Sequence, residues 1–228
     1  MPLCHALIPA AGVGARAGVA LPKQYAPING LPMLAHTLLA FAASPSIASV
    51  HLVVSATDEW FENIGGEEGG NKAHVHRVGG ATRAASVSSG LAAMAGMVAP
   101  DDWILVHDAA RPCIIPDMIE AMIKELRDDD VGGLLALPVA DTVKRGDSHH
   151  RVAETIARDG LWLAQTPQMF RYAQLVDAYA RFPDVTDEAG AIEHAGAVPK
   201  LVRGDARNIK VTYPADFKLA ALYLRDSP

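Results

Sequence analysis

Apolar positions along this chain fall into two alternating rhythms. CHALIPA (4–10), SVHLVVSA (49–56), DWILVHD (102–108) and GGLLALPVA (132–140) are short runs as dense in apolar residues as buried strands. The last is apolar on both faces, as an interior strand is. Other stretches carry apolar residues three and four apart: Leu34, Leu38 and Phe41; Val87, Leu91, Met94 and Val98; Ile119, Met122, Ile123 and Leu126. Phe217, Ala220, Ala221 and Leu224 mark a closing helix. Strands alternating with helices predict an α/β fold, with a mostly parallel sheet and helices on both faces. Ligands of such sheets gather outside the carboxyl ends of the strands, where PAAGVG, VHDAARP and PVADT fall.

Two segments break the pattern. NIGGEEGGNK (63–72) reads as an acidic surface loop. VKRGDSHHRVAETIARDG (143–160) is too polar for a crossover helix, and strand-like pieces on either side of GDSHH predict a hairpin standing off the domain. His149 and His150 are neighbours whose side chains point apart, which reads as a solvated turn rather than a metal site. With 228 residues and no internal repeat or linker, the chain is expected to form one domain over 1–228.

Composition narrows the function. A net charge of −6 argues against a nucleic-acid surface. The apolar runs are too short or too interrupted for a membrane span, and the N-terminus lacks the pattern of a secretory signal, so a cytoplasmic protein is expected. Cys4 and Cys113 sit in strand-like surroundings without metal-type spacing and read as reduced core thiols.

The distribution of charge says more than its total. From Met1 to Thr57 there is no Asp or Glu, and Arg16 and Lys23 are the only Lys or Arg residues. Both lie beside the glycine-rich turn IPAAGVGARAGVALPKQY (8–25), an arrangement suited to an anion. A dinucleotide site needs a helix starting inside such a turn and an acidic residue about twenty positions on. Gly18, Pro22 and Pro27 rule out a long regular helix, and Asp58 is the first carboxylate, so an NAD-dependent dehydrogenase is disfavoured. A nucleoside triphosphate fits better. Ala10, Ala11, Gly12 and Gly14 let backbone N–H groups approach phosphate oxygens, with Arg16 forking onto two oxygens and Lys23 adding a compact charge. About four negative charges on a triphosphate call for Mg²⁺ or another divalent cation, which takes one or two protein carboxylates. Asp108, delivered by a strand to the ligand edge, is the candidate metal ligand, with Arg111 beside it. His107 points to the opposite face and reads as a core residue.

PAAGVGARAGVALPKQY, GGATRAASV, VHDAARP, ADTVKR, RDGLWLAQTPQMF, TDEAGAIE and NIKVTYPADF occur in this order across nearly the whole chain. Together they closely resemble the 2-C-methyl-D-erythritol 4-phosphate cytidylyltransferases of the non-mevalonate isoprenoid pathway. The resemblance implies a single-domain Rossmann-like fold of the nucleotide-diphospho-sugar transferase type, and a homodimer with sites shared between chains through protruding arms at about 141–160. It implies transfer of CMP from CTP to a sugar-alcohol phosphate, with release of pyrophosphate. Ala10, Ala11, Gly12, Gly14 and Ala109 would hold the CTP, with Gly80 and Ser86 helping to recognise cytosine and ribose. Arg16 and Lys23 would stabilise charge on the phosphates, and Asp108 would hold Mg²⁺. Thr142, Arg158 and Thr166, supplied by the partner's arm, would grip the sugar phosphate together with Arg111, Thr186 and Lys210, with Arg158 and Lys210 also serving catalysis. One departure is visible: the family usually has an acid just before the serine of GGATRAASV, where this chain has Ala85.

The attacking phosphate oxygen is already anionic at neutral pH, so no general base is required. The enzyme's work is to align two anions and neutralise the charge that grows between them. A sister enzyme using ribitol 5-phosphate would share the nucleotide half, and a non-catalytic nucleotide-binding module is the more distant alternative.

Overall fold

The computed structural model describes residues 2–12, 21–64 and 70–225. CHALIP forms β1 (Cys4–Pro9). A short ribbon of β2 (Pro27–Ile28) and β3 (Leu31–Pro32) then turns through Asn29 and Gly30, at φ 51° and 88°. Asn-Gly suits a two-residue hairpin because both central residues need positive φ. The ribbon delivers α1 (Met33–Ala43), which leads to β4 (Ile47–Ser55). The chain continues through β5 (Ala73–Gly79), α2 (Arg83–Ala93), β6 (Trp103–Val106), α3 (Pro116–Leu126) and β7 (Gly132–Pro138). The hairpin β8 (Val143–Gly146) and β9 (Val152–Ile156) precedes β10 (Trp162–Arg171), α4 (Tyr172–Arg181), α5 (Glu188–His194), β11 (Lys200–Arg203) and α6 (Pro214–Tyr223).

Among the described residues, seven strands form one sheet in the order β11-β7-β10-β6-β1-β4-β5. Only β10 runs antiparallel to its neighbours, β6 and β7. From β1 the chain moves outward to β4 and β5, then returns to β6 on the other side of β1. The strand order therefore reverses between β1 and β6, where an open α/β sheet leaves a crevice at the strands' carboxyl ends. Ala10 and Asp108 emerge on either side of that crevice.

Both faces of the sheet are covered. On one, Leu34 and Phe41 of α1 and Ile119 and Met122 of α3 pack with Ile8, Leu52 and Leu105. On the other, Val87 and Leu91 of α2, Leu175 of α4 and Ile192 of α5 pack with Leu7, Val53, Ile104 and Phe170. Gly90 sets the closeness of α2, because a Cβ there would meet Val53 Cγ2 at 2.6 Å and Leu7 Cδ1 at 2.9 Å. Cys4 and Cys113 are buried and unpaired, and burial raises each thiol to about 11. Among the described residues no helix is long and apolar enough to cross a membrane.

The structure departs from the sequence reading in two respects. α2 ends at Ala93 rather than reaching Val98, because the chain leaves the helix at Met94 and turns through Gly96 at φ 78°. β5, β10, β11, α4 and α5 were not anticipated. The acidic loop expected at 63–72 lies partly outside the described residues. The hairpin over 143–156 is present as its own two-stranded sheet, and Asp147 Oδ1 accepts N–H groups from His149 and Arg151 at its turn.

Candidate active site

Two cavities open at the crevice between β1 and β6. The first, about 240 Å³, is lined by Pro9, Ala10, Gly12, Lys23, Gln24, Met33, Asp108, Ala109 and Ala110. Its floor is fixed by two hydrogen bonds at Ala10. The Ala10 N–H donates to Val53 O at 2.7 Å, and the buried Gln24 amide donates to Ala10 O at 2.7 Å. That second bond explains PKQ: the one-turn helix Lys23–Tyr25 turns Gln24 inward while Lys23 reaches the rim and donates to Val211 O at 2.6 Å. A Cβ on Gly12 would meet nothing within 4 Å, so its backbone borders open space. Gly80 lies further along the sheet edge. Its N–H donates to Ser86 Oγ at 3.1 Å, and Ser86 Oγ donates to Thr82 O at 2.9 Å. Ser86 thus shapes the turn from within, buried at 3% exposure. Ala85, where the family resemblance leads one to expect an acid, donates its N–H to Thr82 Oγ1 at 3.0 Å.

The second cavity, about 200 Å³, is lined by Arg83, Asp108, Arg111, Ala164, Gln165, Thr166, Gln168, Thr186, Asp187 and Lys210. Asp108 belongs to both linings. Arg83 Nε donates to Asp108 Oδ1 at 2.7 Å and Lys210 Nζ to Oδ2 at 2.6 Å. Burial alone would raise the Asp108 carboxyl, but the charges of Arg83 and Lys210 outweigh it and hold the group well below the usual carboxylate range. Thr166 Oγ1 accepts the Asp108 N–H at 3.1 Å and contacts His107 Nδ1 at 3.1 Å. The hydroxyl proton then goes to Nδ1, leaving His107 Nε2–H for Arg111 O at 3.2 Å. His107 is buried against Phe41, and burial lowers it to about 4, so it remains neutral. Arg111 donates to Asn208 O at 2.6 Å.

A family model for 2-C-methyl-D-erythritol 4-phosphate cytidylyltransferase (IspD) matches residues 4–226. The chain belongs to this family. The cytidylyltransferase of Dechloromonas aromatica is 56% identical over 99% of both chains, and that of Chromobacterium violaceum is 54% identical over 96% of both. Among solved structures, a 4-diphosphocytidyl-2C-methyl-D-erythritol synthase superposes with a TM-score of 0.87 at 38% identity, covering 98% of this chain and 99% of its own. The Thermus thermophilus enzyme has a TM-score of 0.79 at 29% identity, covering 99% of this chain and all of its own. These neighbours share the mostly parallel, Rossmann-like sheet.

Around the Asp108 junction this cytidylyltransferase brings together Ala10, Gly12, Lys23, Ala109, Arg111, Thr166, Thr186 and Lys210. Gly14 and Arg16 lie outside the described residues. Thr142 and Arg158 line neither cavity; both are exposed at the base of the hairpin, where Arg158 donates to Ala140 O. Thr166 departs from the expectation that it comes with the partner's arm. It sits in β10 and bonds the Asp108 backbone of its own chain, because the antiparallel strand runs directly under the site. Thr186 lines the second cavity, while the cap of α5 is Asp187, whose Oδ1 accepts the Gly190 N–H at 2.9 Å.

Sequence reasoning missed Arg83 and Glu188. Arg83 NH1 and NH2 donate to Glu188 Oε1 and Oε2 at 2.8 and 3.1 Å, and the Tyr179 hydroxyl donates to Oε1 at 2.7 Å. Both residues stand in motifs quoted above, GGATRAASV and TDEAGAIE, and an Arg and a Glu spaced through otherwise small residues were the available signal. Among the described residues no cluster of three or more His, Cys, Asp or Glu is arranged to hold a metal. A phosphate-borne divalent ion needs only one or two carboxylates, and Asp108 is a hard oxygen donor whose Oδ2 already accepts the cationic head of Lys210. The residues fit such an ion.

Proposed function

We propose that this chain transfers the cytidylyl group of CTP to 2-C-methyl-D-erythritol 4-phosphate, forming 4-diphosphocytidyl-2-C-methyl-D-erythritol and pyrophosphate. One observation carries the reading on geometry: a single carboxylate, Asp108, forms the common wall of two cavities whose other charged residues include Lys23 on one side and Arg111 and Lys210 on the other. Two phosphate-bearing molecules can meet at that wall. Family membership fixes which two.

In this reading the cavity at Ala10, Gly12, Lys23 and Ala109 takes the triphosphate, with Gly14 and Arg16 completing the loop. The turn at Gly80, shaped by Ser86, faces base and ribose. The acceptor phosphate lies against Arg111, Thr166, Thr186 and Lys210. An acceptor oxygen attacks the α-phosphorus, and the bond to the β-phosphate breaks with pyrophosphate leaving. The acceptor is already ionised, so His107 has no proton to take, in keeping with its neutral, buried state. Arg16 and Lys23 neutralise charge growing on the nucleotide phosphates, and Lys210 and Arg158 hold the attacking phosphate in line. Mg²⁺, held by Asp108 and the phosphates, would supply further charge neutralisation.

Thr142 and Arg158 are assigned to the partner's site, which makes the enzyme a homodimer with arms at about 141–160. Their exposure on a hairpin separate from the main sheet supports this. The test is a pyrophosphate-release assay with Mg²⁺ and CTP, offering methylerythritol 4-phosphate and ribitol 5-phosphate in parallel, with ATP, GTP and UTP as controls. Release with CTP and methylerythritol 4-phosphate is expected. Preference for ribitol 5-phosphate or for another nucleotide rejects the reading.

A further inference from the structure

Glu188 is fully buried and lines neither cavity at the Asp108 junction. Its carboxylate reaches the cavity lining through Arg83. Its two oxygens take the paired NH1 and NH2 donors of Arg83, a fork-on-fork contact that fixes the guanidinium plane as well as its position. The remaining edge of the same group, Nε, then points at Asp108 Oδ1 at 2.7 Å. Tyr179 from α4 and the backbone of α5 hold Glu188, and Arg83 opens α2, so three helices converge on one oxygen of one carboxylate.

A buried ionic network of this kind is poor value for stability alone, since apolar groups of the same volume commonly serve as well or better. Its geometric effect is specific. With Oδ1 covered by a rigid donor, Asp108 can turn only Oδ2 toward the junction, where Lys210 now sits. Without Arg83, carboxylate and ammonium would swing together as a mobile pair. We propose that Arg83, anchored by Glu188, is a positioning residue for cytidylyl transfer, setting the Asp108 carboxylate so that one oxygen faces the junction of the two cavities. The inference rests on the functional reading above.

Two variants test it. Arg83→Lys keeps the charge but cannot span both carboxylates; Glu188→Gln keeps the anchor's shape and removes its charge. Each should lower kcat about ten- to hundredfold, the range for losing a group that orients a ligating carboxylate. KM for the sugar phosphate should change less than kcat, because Arg111, Thr166 and Thr186 still grip the acceptor. Calorimetry with CTP alone should match wild type, while the gain in CTP affinity on adding Mg²⁺ should shrink about tenfold. Near-normal kcat in both variants overturns the proposal. So does an unchanged Mg²⁺-dependent gain in a folded variant, since Arg83 would then act directly on substrate. A loss that tracks the fraction of unfolded protein by circular dichroism also overturns it, as the role would be structural. If wild-type protein releases no pyrophosphate with methylerythritol 4-phosphate, the functional reading fails, and calorimetry with CTP and Mg²⁺ still decides the positioning role.

Discussion

At the end of the sheet opposite the active site, four strands are joined by a chain of side chains that folding keeps free of added protons. Asp102 Oδ2 faces His5 Nε2 at 3.3 Å, His5 Nδ1 faces Ser49 Oγ at 2.7 Å, Ser49 Oγ faces His51 Nε2 at 2.7 Å, and His51 Nδ1 faces His76 Nε2 at 2.9 Å. An ionised Asp102 only accepts, so His5 must donate from Nε2 and accept at Nδ1. Ser49 then donates to His5 and accepts from His51 Nε2–H, and His51 Nδ1 accepts from His76 Nε2–H. Three neutral imidazoles satisfy every bond in one direction. An extra proton on His51 would be desolvated and would face His76, His74 and His5, and the group is lowered from 6.5 to about 3. Burial also lowers His5 and His76.

The sign follows from linkage. A histidine lowered by folding takes up protons in the unfolded chain first, so its stabilisation is complete above the unfolded value of 6.5 and is lost as pH falls toward the folded one. For His51 the loss between pH 7 and pH 5 comes to about 2 kcal/mol, and any folded value well below 5 gives the same figure. Carboxylates lowered by folding, Asp102 and Asp108 among them, keep their contribution until pH nears 3.8, so this window isolates the histidines. His107, on the active-site side, adds a loss of the same sign and is common to both proteins compared. Urea unfolding of wild type and His51→Gln at fixed protein concentration, at pH 7, 6 and 5, measures the effect. The variant should be less stable at pH 7, yet should lose about 2 kcal/mol less than wild type on going to pH 5. Equal losses in the two proteins would refute both the neutral chain and the tautomers assigned to it.

Lys23→Ala should lower turnover at least about a hundredfold in the pyrophosphate assay, as expected for one preorganised charge-stabilising group, with a native circular dichroism spectrum. Near-normal turnover removes Lys23 from the mechanism. If sites are shared between chains as proposed, mixing Arg158→Ala with Lys23→Ala subunits should restore partial activity, because a mixed dimer would carry one intact site; no recovery in proven mixed dimers counts against shared sites. Gly90→Ala should lower Tm, since a methyl group 2.6 Å from Val53 Cγ2 costs about 1–3 kcal/mol of overpacking against about 1 kcal/mol of helix propensity gained. A rise in Tm would show that α2 can shift away from the sheet without cost.

The elements legible in the sequence were those whose burial leaves an apolar period. Leu34, Leu38 and Phe41 marked the buried face of the helix Met33–Ala43. β10 was invisible because its buried centre is Gln165, Thr166, Pro167 and Gln168, polar residues serving the site, with a proline where a central strand should not have one. Its pairing with β7 skips between Ala164 and Gln168, which accommodates that proline. The same blindness moved Thr166 onto the arm. β5 and β11 are sheet edges with exposed, charged or His-rich faces, so their apolar signal is weak. At the site, Asp108 was legible as an acid at a strand's end. Arg83 was not, because its partners lie 25 and 105 residues away and only the folded sheet brings them together.

Asp108 at the junction of the two cavities and Glu188 buried behind it are paired with two cations, Arg83 and Lys210. The charges match, but the two cations are not equivalent. Removing Arg83 would strand the fully buried Glu188, and an uncompensated buried charge costs about 3–5 kcal/mol. The Lys210 side chain is 47% exposed and holds Asp108 through one contact, so it can pass to water or a phosphate while Arg83 stays on the other carboxylate oxygen. Arg83 is therefore the fixed cation and Lys210 the exchangeable one. An arriving phosphate can recruit Lys210 without unfolding any part of the network that orients Asp108. A site meant to gather two anions needs such a division: positive charge kept in place by carboxylates beforehand, and one of those cations free to change partner when the anions come.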